Sequence, residues 1–353
     1  MSPAFSNILV HGPASPVALS RLKTYFTTVT HVPEFGLPVS AEQYAAADVI
    51  YALFIHGVKS ANDVPNLKFL QLYRSGIDDL PSHPLIKDPK AKDIPIATAA
   101  GVHARAIPQY FIMTTLALFH RLQQQILISF NEKRWATSAE LTGDPSVPFE
   151  NRDFAGKTVG ILGYGHIGRE SARLAVAFGA KIIVATPSGT KKPASGFDVV
   201  PGTGDPDGSL PLAWYSSANP SSFTEFVAQS DVLLVAAPST PATRKLLNAE
   251  TLAALKPTSV IVNIGRGDII DTDALVAALD AGKIAGAALD VTDPEPLPAG
   301  HTLFGRPNVI ITPHRSGTAQ GYFEHSFDVL MTNLQRLVEG KPLHNLVDIQ
   351  KGY

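Results

Sequence analysis

Three short stretches of this 353-residue chain carry side chains suited to chemistry, and each follows an apolar run. Asn263-Ile264-Gly265-Arg266-Gly267-Asp268 offers a guanidinium. Asp290-Val291-Thr292-Asp293-Pro294-Glu295-Pro296 offers carboxylates, and Thr312-Pro313-His314-Arg315-Ser316-Gly317 offers an imidazole. A planar, two-pronged guanidinium suits a carboxylate better than an ammonium does. An imidazole, with an ordinary pKa of about 6.5, can give a proton to a developing alkoxide near neutral pH. A carboxylate paired with an imidazole favours its charged form. Taken singly, Arg266 reads as a solvated loop arginine, Glu295 as a turn carboxylate and His314 as a capping or surface residue. Together, after successive strands of one sheet, they read as a site.

A fourth stretch indicates what that sheet holds. Lys157 to Arg169 reads KTVGILGYGHIGR: a β-rich run, Thr158 to Leu162, then Gly163-Tyr164-Gly165-His166-Ile167-Gly168, then a helical pattern closed by Gly179. Gly163 allows the tight turn, Gly165 lets a pyrophosphate approach the backbone, and Gly168 lets helix and strand pack closely. The helix start, with unpaired N–H groups and a favourable dipole, is where phosphates sit. A second strand pattern follows at Ala180 to Ala185, as a dinucleotide site requires. A dinucleotide held there would be a source of hydride, and the imidazole a source of a proton.

The end of that second strand bears on which cofactor is used. An acidic residue there hydrogen-bonds the ribose of NAD(H) and repels a 2′-phosphate. Here Thr186 stands in that place, followed by Pro187-Ser188-Gly189-Thr190-Lys191-Lys192. The hydroxyls of Thr186 and Ser188 and the ammonium groups of Lys191 and Lys192 suit a phosphate. The expectation is NADP(H) in preference to NAD(H), with NAD(H) still possible.

The elements that must position these groups form an α/β fold. Six strand-like runs, Thr158–Leu162, Lys181–Ala185, Val232–Ala236, Ser259–Ile264, Ile284–Leu289 and Val309–Thr312, mostly lack alternation. That pattern indicates a doubly wound parallel sheet covered on both faces. Asp271 to Ala281 reads as one of its helices, N-capped by Asp271. Residues 1–107 read as a smaller α/β unit with strands at Ile8–Val10, Val49–Ile55, Lys68–Leu72 and Ile94–Thr98. Pro108 to Gln125 reads as one buried helix opened by proline. Asn131 to Asp153 reads as loop, and Pro187 to Ser222 as a long connection of no assigned role. Thr318 to Glu339 is strongly amphipathic, and the sheet is complete before it. The expected organisation is therefore a discontinuous substrate domain, 1–107 with 318–353, around a dinucleotide-binding domain at 108–317.

A formal charge of −2 gives no electrostatic case for nucleic acid. The longest apolar run, Phe111 to Phe119, is too short to span a bilayer. No basic segment leads an apolar core at the start, so no signal peptide is expected and a cytoplasmic location is the default. There is no cysteine, hence no disulfide or thiolate nucleophile, and no metal site is expected.

On the segments Phe154–Gly168, Ser239–Thr243, Asn263–Asp271, Leu289–Pro298 and Thr312–Gly317, the chain resembles the D-2-hydroxyacid dehydrogenase family of glycerate, hydroxypyruvate and D-lactate dehydrogenases. The resemblance covers nearly the whole chain. It implies a flavodoxin-like substrate domain beside the dinucleotide domain, a homodimer, and a 2-oxo or D-2-hydroxy acid such as glyoxylate, hydroxypyruvate or a bulkier relative. It implies that Arg266 binds the substrate carboxylate and carbonyl, that His314 is the acid/base, and that Glu295 pairs with it. It places Ser75 and Gly76 where backbone amides hold the carboxylate, and Asp290 at the nicotinamide amide. Pro238, Thr243, Ile264 and Gly317 join Gly163–Gly168 as cofactor contacts. The chain departs from the family with Pro108-Gln109 in place of Ala-Glu and Ala104 in place of a threonine. Two other readings use the same fold: a dinucleotide-sensing corepressor, and a formate dehydrogenase, whose glutamine stands where this chain has Glu295.

Overall fold

The computed structural model describes residues 4–194 and 199–349. The chain divides into two compact units, one of Met1–Val102, Val199–Pro201 and Ala319–Tyr353, the other of His103–Asp198 and Gly202–Thr318.

The first unit is built on five parallel strands, β1 (Phe5–His11), β2 (Phe26–Val32), β3 (Val49–Ala52), β4 (Phe69–Leu72) and β5 (Ile96–Ala97), in the order β2-β1-β3-β4-β5. That is the flavodoxin-like order. Alternate strand residues serve opposite faces. Leu9, Ile50 and Leu70 join one core, while Ile8, Val10, Val49 and Phe69 join the other. The second core is covered by the Tyr322–Val338 helix, through Phe327, Leu330 and Leu334. The helix starts four residues later than its periodicity predicts, because Gly321 turns at φ +77° just before it. Two polar bonds fasten it, Tyr51 donating to Ser326 at 2.9 Å and Asn333 to Gln71 at 2.9 Å. Strand β2 (FTTVTHV) is absent from the sequence reading. It pairs on one side only, and Thr27 and Thr28 are exposed, so no apolar run marks it.

The second unit has seven parallel strands: β6 (Thr158–Leu162), β7 (Lys181–Thr186), β8 (Pro211–Ser216), β9 (Val232–Val235), β10 (Val260–Asn263), β11 (Gly286–Leu289) and β12 (Val309–Ile311). Their order is β12-β11-β10-β9-β6-β7-β8. The order reverses at β6 and β9, and the glycine turn leaves β6 at that point, where doubly wound sheets bind ligands. Strand β8 corrects the reading of Pro187–Ser222 as connection. Pro211-Leu212-Ala213-Trp214-Tyr215-Ser216 pairs with β7, and residues 195–198 of that segment lie outside the described residues. The single helix expected over Pro108–Gln125 is two. Ala106–Phe119 is mostly buried, with Gln109 and Met113 exposed; Arg121 turns at φ +47°, and Leu122–Glu132 continues with no buried residue. Within the expected loop at Asn131–Asp153, Ser138–Thr142 forms a short helix with a Thr137/Glu140 capping box.

Candidate active site

Strands β10, β11 and β12 lie side by side in parallel, so the segments that leave their C-terminal ends emerge on one edge of the sheet. Glu295 leaves β11 and His314 leaves β12. Their side chains meet, with Nδ1 of His314 2.6 Å from Oε1 of Glu295. Both are open to solvent, at 53% and 42% exposure, so the pair is no element of the core. Nε2 of His314 has no partner among the described residues and remains for another group.

The backbone at His314 is unusual. Its φ of +53° lies in the left-handed region, which residues other than glycine seldom adopt. Asp290 holds it there. The His314 N–H donates to the Asp290 carbonyl at 2.8 Å. Oδ1 of Asp290 accepts the Thr312 hydroxyl at 2.5 Å and the Arg315 amide at 2.9 Å. Oδ2 accepts the Ser316 amide at 2.9 Å and also the Ser316 hydroxyl. A carboxylate has about four lone-pair sites, and this turn occupies all of them, which makes Asp290 a positioning residue first. Tyr110 extends the network, its hydroxyl 2.8 Å from that of Thr312. Burial pushes the Tyr110 phenol up to about 12, so it remains a donor at neutral pH.

Arg266 is carried by a loop tied to the same edge. The Asn263 side chain donates to the Arg266 carbonyl at 2.9 Å and accepts from the Gly265 amide at 3.1 Å. The guanidinium is half-buried, and its Nη1 donates to the Gly265 carbonyl at 2.7 Å. At Gly267 a Cβ would lie 2.0 Å from the backbone of Thr292, so only glycine lets the Arg266 loop touch the one that leads to Glu295. Asn263 and Asp290 are nearly fully buried. The positioning role of Asn263 has no sequence signal beyond its place at a strand end.

His103 is a further residue the motifs do not disclose. Its Nδ1 lies 3.0 Å from the Gly317 carbonyl, and its ring lies against Gly317, where a Cβ would be 2.9 Å from Nδ1. Burial first, and then the charge of nearby His314, keeps its pKa below the ordinary imidazole range, against the pull of the Gly317 carbonyl.

The glycine turn has the room its sequence suggests. Gly163 sits at φ +93°, and a Cβ at Gly168 would be 2.3 Å from the Gly163 carbonyl. Around Gly165 nothing lies within 4 Å of a Cβ position. Gly165 is also the N-cap of the His166–Ala177 helix and brings no side chain to its first amides. Those amides, with half-buried His166 and Ile167, form a cradle that fits a pyrophosphate. Tyr164 turns the other way. Its hydroxyl donates to Asp205 at 2.7 Å, and its ring meets Trp214 edge-on.

That contact gives the Pro187–Ser222 segment a structural job. Arg169, on the His166–Ala177 helix, donates to the carbonyls of Asp205 at 2.5 Å and Lys192 at 2.8 Å. Glu170 accepts the Gly204 amide at 2.6 Å. Burial works to raise the Asp205 carboxyl, but bonds from Tyr164, Ser209 and Leu210 outweigh it and hold it below the usual range. The segment is thereby clamped onto the helix that follows the glycine turn. At its start, Thr186 accepts the Gly189 amide at 3.2 Å. Ser188, Lys191 and Lys192 are exposed, and neither ammonium has an ion pair among the described residues.

After β9, the Thr243 hydroxyl donates to the Pro238 carbonyl at 2.7 Å and accepts the Thr240 amide at 2.8 Å. Ile264 is buried and bonds back to Val235. Ser75 and Gly76 belong to the first unit, in the segment after β4. The Ser75 hydroxyl donates to Ala99 at 3.2 Å, while the amides of both residues have no acceptor among the described residues.

The chain is similar to known proteins over most of its length. The profile of the D-isomer specific 2-hydroxyacid dehydrogenase NAD-binding domain matches residues 112–201 and 212–316. A protein encoded in the proB 3′ region of Corynebacterium melassecola is 34% identical over 92% of this chain and 96% of its own length. A hydroxypyruvate reductase from Blautia hydrogenotrophica is 27% identical over 79% of this chain and 78% of its own. The crystal structure of the TT0316 protein from Thermus thermophilus superposes with a TM-score of 0.70 at 28% identity, over 97% of this chain and 100% of that one.

Proposed function

The chain belongs to the D-isomer specific 2-hydroxyacid dehydrogenase family of NAD(P)-dependent enzymes, and on that premise we propose that it reduces a small 2-oxo acid to the D-2-hydroxy acid with NADPH. The His314–Glu295 pair beside the Arg266 loop carries this reading. NADPH, when bound, supplies the hydride; the chain supplies everything else. Gly163 to Gly168 hold the pyrophosphate at the helix start. Arg266 grips the substrate carboxylate with two parallel donors. Nε2 of His314 gives its proton to the oxygen that becomes the hydroxyl, while Glu295 holds Nδ1 and so fixes the ring. From the family resemblance we also propose the amides of Ser75 and Gly76, which have no acceptor among the described residues, as carboxylate donors.

The test is oxidation of NADPH or NADH on adding glyoxylate, hydroxypyruvate or phenylpyruvate. Turnover with at least one of them is expected, and none with any would overturn the assignment. Glyoxylate and hydroxypyruvate are the substrates we favour; the relative from Blautia hydrogenotrophica is named for the latter.

The preference for NADPH rests on Thr186, Ser188, Lys191 and Lys192. Lys191→Ala with Lys192→Ala is expected to weaken NADPH much more than NADH, and added salt to narrow the parent's preference. Equal losses for both cofactors, or a parent that favours NADH, would defeat this part of the proposal. We also propose a homodimer. Leu122, Ile126, Leu127 and Phe130 are exposed on one helix, with Trp135 beyond it at 93% exposure, an apolar stretch that a second copy would cover. Light scattering should give twice the 37.6 kDa chain mass; a monomer at all concentrations rejects the dimer.

A further inference from the structure

A pocket of about 530 Å³ opens at the other edge of the seven-stranded sheet. It is lined by Val260, Ala285 and Asn308, which begin or directly precede β10, β11 and β12. It therefore lies at the N-terminal ends of the three strands whose C-terminal ends lead to Arg266, Glu295 and His314. Its volume falls among small-molecule sites, which run roughly 300–1,000 Å³. Part of the wall is apolar, with Phe119 and Leu141 buried behind it.

Two arginines, Arg121 and Arg152, also line it. The Arg152 guanidinium stacks on Phe119, 4.3 Å from the ring centroid, and is half-buried. Burial lowers its pKa and the Arg121 charge adds to that, against the pull of Asp231. Asp231 is already committed, to Lys256 at 2.8 Å and to the Thr158 amide at 2.8 Å. Among the described residues neither guanidinium has an ion pair or a side-chain hydrogen bond. Glu150, also on the lining, is exposed and pairs with neither. Two like charges facing one cavity, one of them partly desolvated, are costly unless an anion joins them. Guanidinium groups bind carboxylate and phosphate oxygens in two-pronged fashion, and the apolar wall can take a flat body.

We propose that this pocket binds a small organic anion with an apolar body, its charged head between Arg121 and Arg152. The site is separate from the dinucleotide and substrate groups, since it opens on the opposite edge of the sheet. Calorimetry with phenyl phosphate, on full-length protein saturated with NADPH so that the cofactor cradle is filled, tests it. Saturable binding is expected, tighter than that of inorganic phosphate, because phosphate lacks the apolar body. Arg121→Asn, chosen because asparagine tolerates the left-handed backbone, and Arg152→Gln should each weaken phenyl phosphate at least tenfold. Retained reduction of a 2-oxo acid shows each variant is folded. Should Arg152→Gln fail to fold, Arg121→Asn decides alone. No saturable binding by the parent, unchanged affinity in the variants, or equal affinity for phosphate would each overturn the proposal. So would binding by a monomeric Phe130→Glu variant but not by the parent, which would show that a second copy fills the pocket.

Discussion

His314→Ala lowers kcat for 2-oxo acid reduction by about 10²- to 10⁴-fold, the usual worth of a positioned general acid, and leaves NADPH affinity close to that of the parent. The imidazole leaves β12 on a turn that Asp290 holds with its whole carboxylate, and it meets Glu295 at 2.6 Å. Removing the ring deletes the proposed proton donor without touching the glycine turn after β6, where the pyrophosphate would sit. Steady-state kinetics beside a fluorescence titration of NADPH separates the two effects. A variant that keeps near-parental kcat with a good substrate removes His314 from the reaction.

Arg266→Lys raises KM for the oxo acid by roughly ten- to a hundredfold, since a hydrogen bond to a charged group contributes about 1.5–3 kcal/mol. Lysine keeps the charge but loses the planar fork. The loop itself should survive, because it is held by Asn263 and by the fit of Gly267 against Thr292, neither of which involves the side chain being changed. Loss of cofactor affinity with an unchanged KM would show that Arg266 serves the dinucleotide instead.

Much of the fold was legible because its signals are local. The three glycines of the turn after β6 answer to steric demands within a few residues of each. The apolar runs of β9, β10 and β11 announce strands buried on both faces. Strands β2 and β8 escaped because each sits at a sheet edge with a single neighbour and keeps polar or half-exposed residues. The break at Arg121 escaped because neither glycine nor proline marks it. There the chain turns where a buried helix gives way to an exposed one.

The sequence by itself determined which chemical groups are present, in what order, and that each follows a strand. It thereby determined the family and the class of reaction. Tertiary structure alone decided that Glu295 and His314 touch, because that depends on β11 and β12 being neighbours. It alone decided that Asp290 spends its carboxylate on the His314 turn, and that His103 lies against Gly317, 214 positions away. It also turned a proline- and glycine-rich connection into an edge strand clamped by Arg169 and Tyr164. The physical reason is common to all of these. A turn or a strand is favoured by residues close in sequence, whereas a contact between distant residues exists only once the sheet order has brought their backbones together.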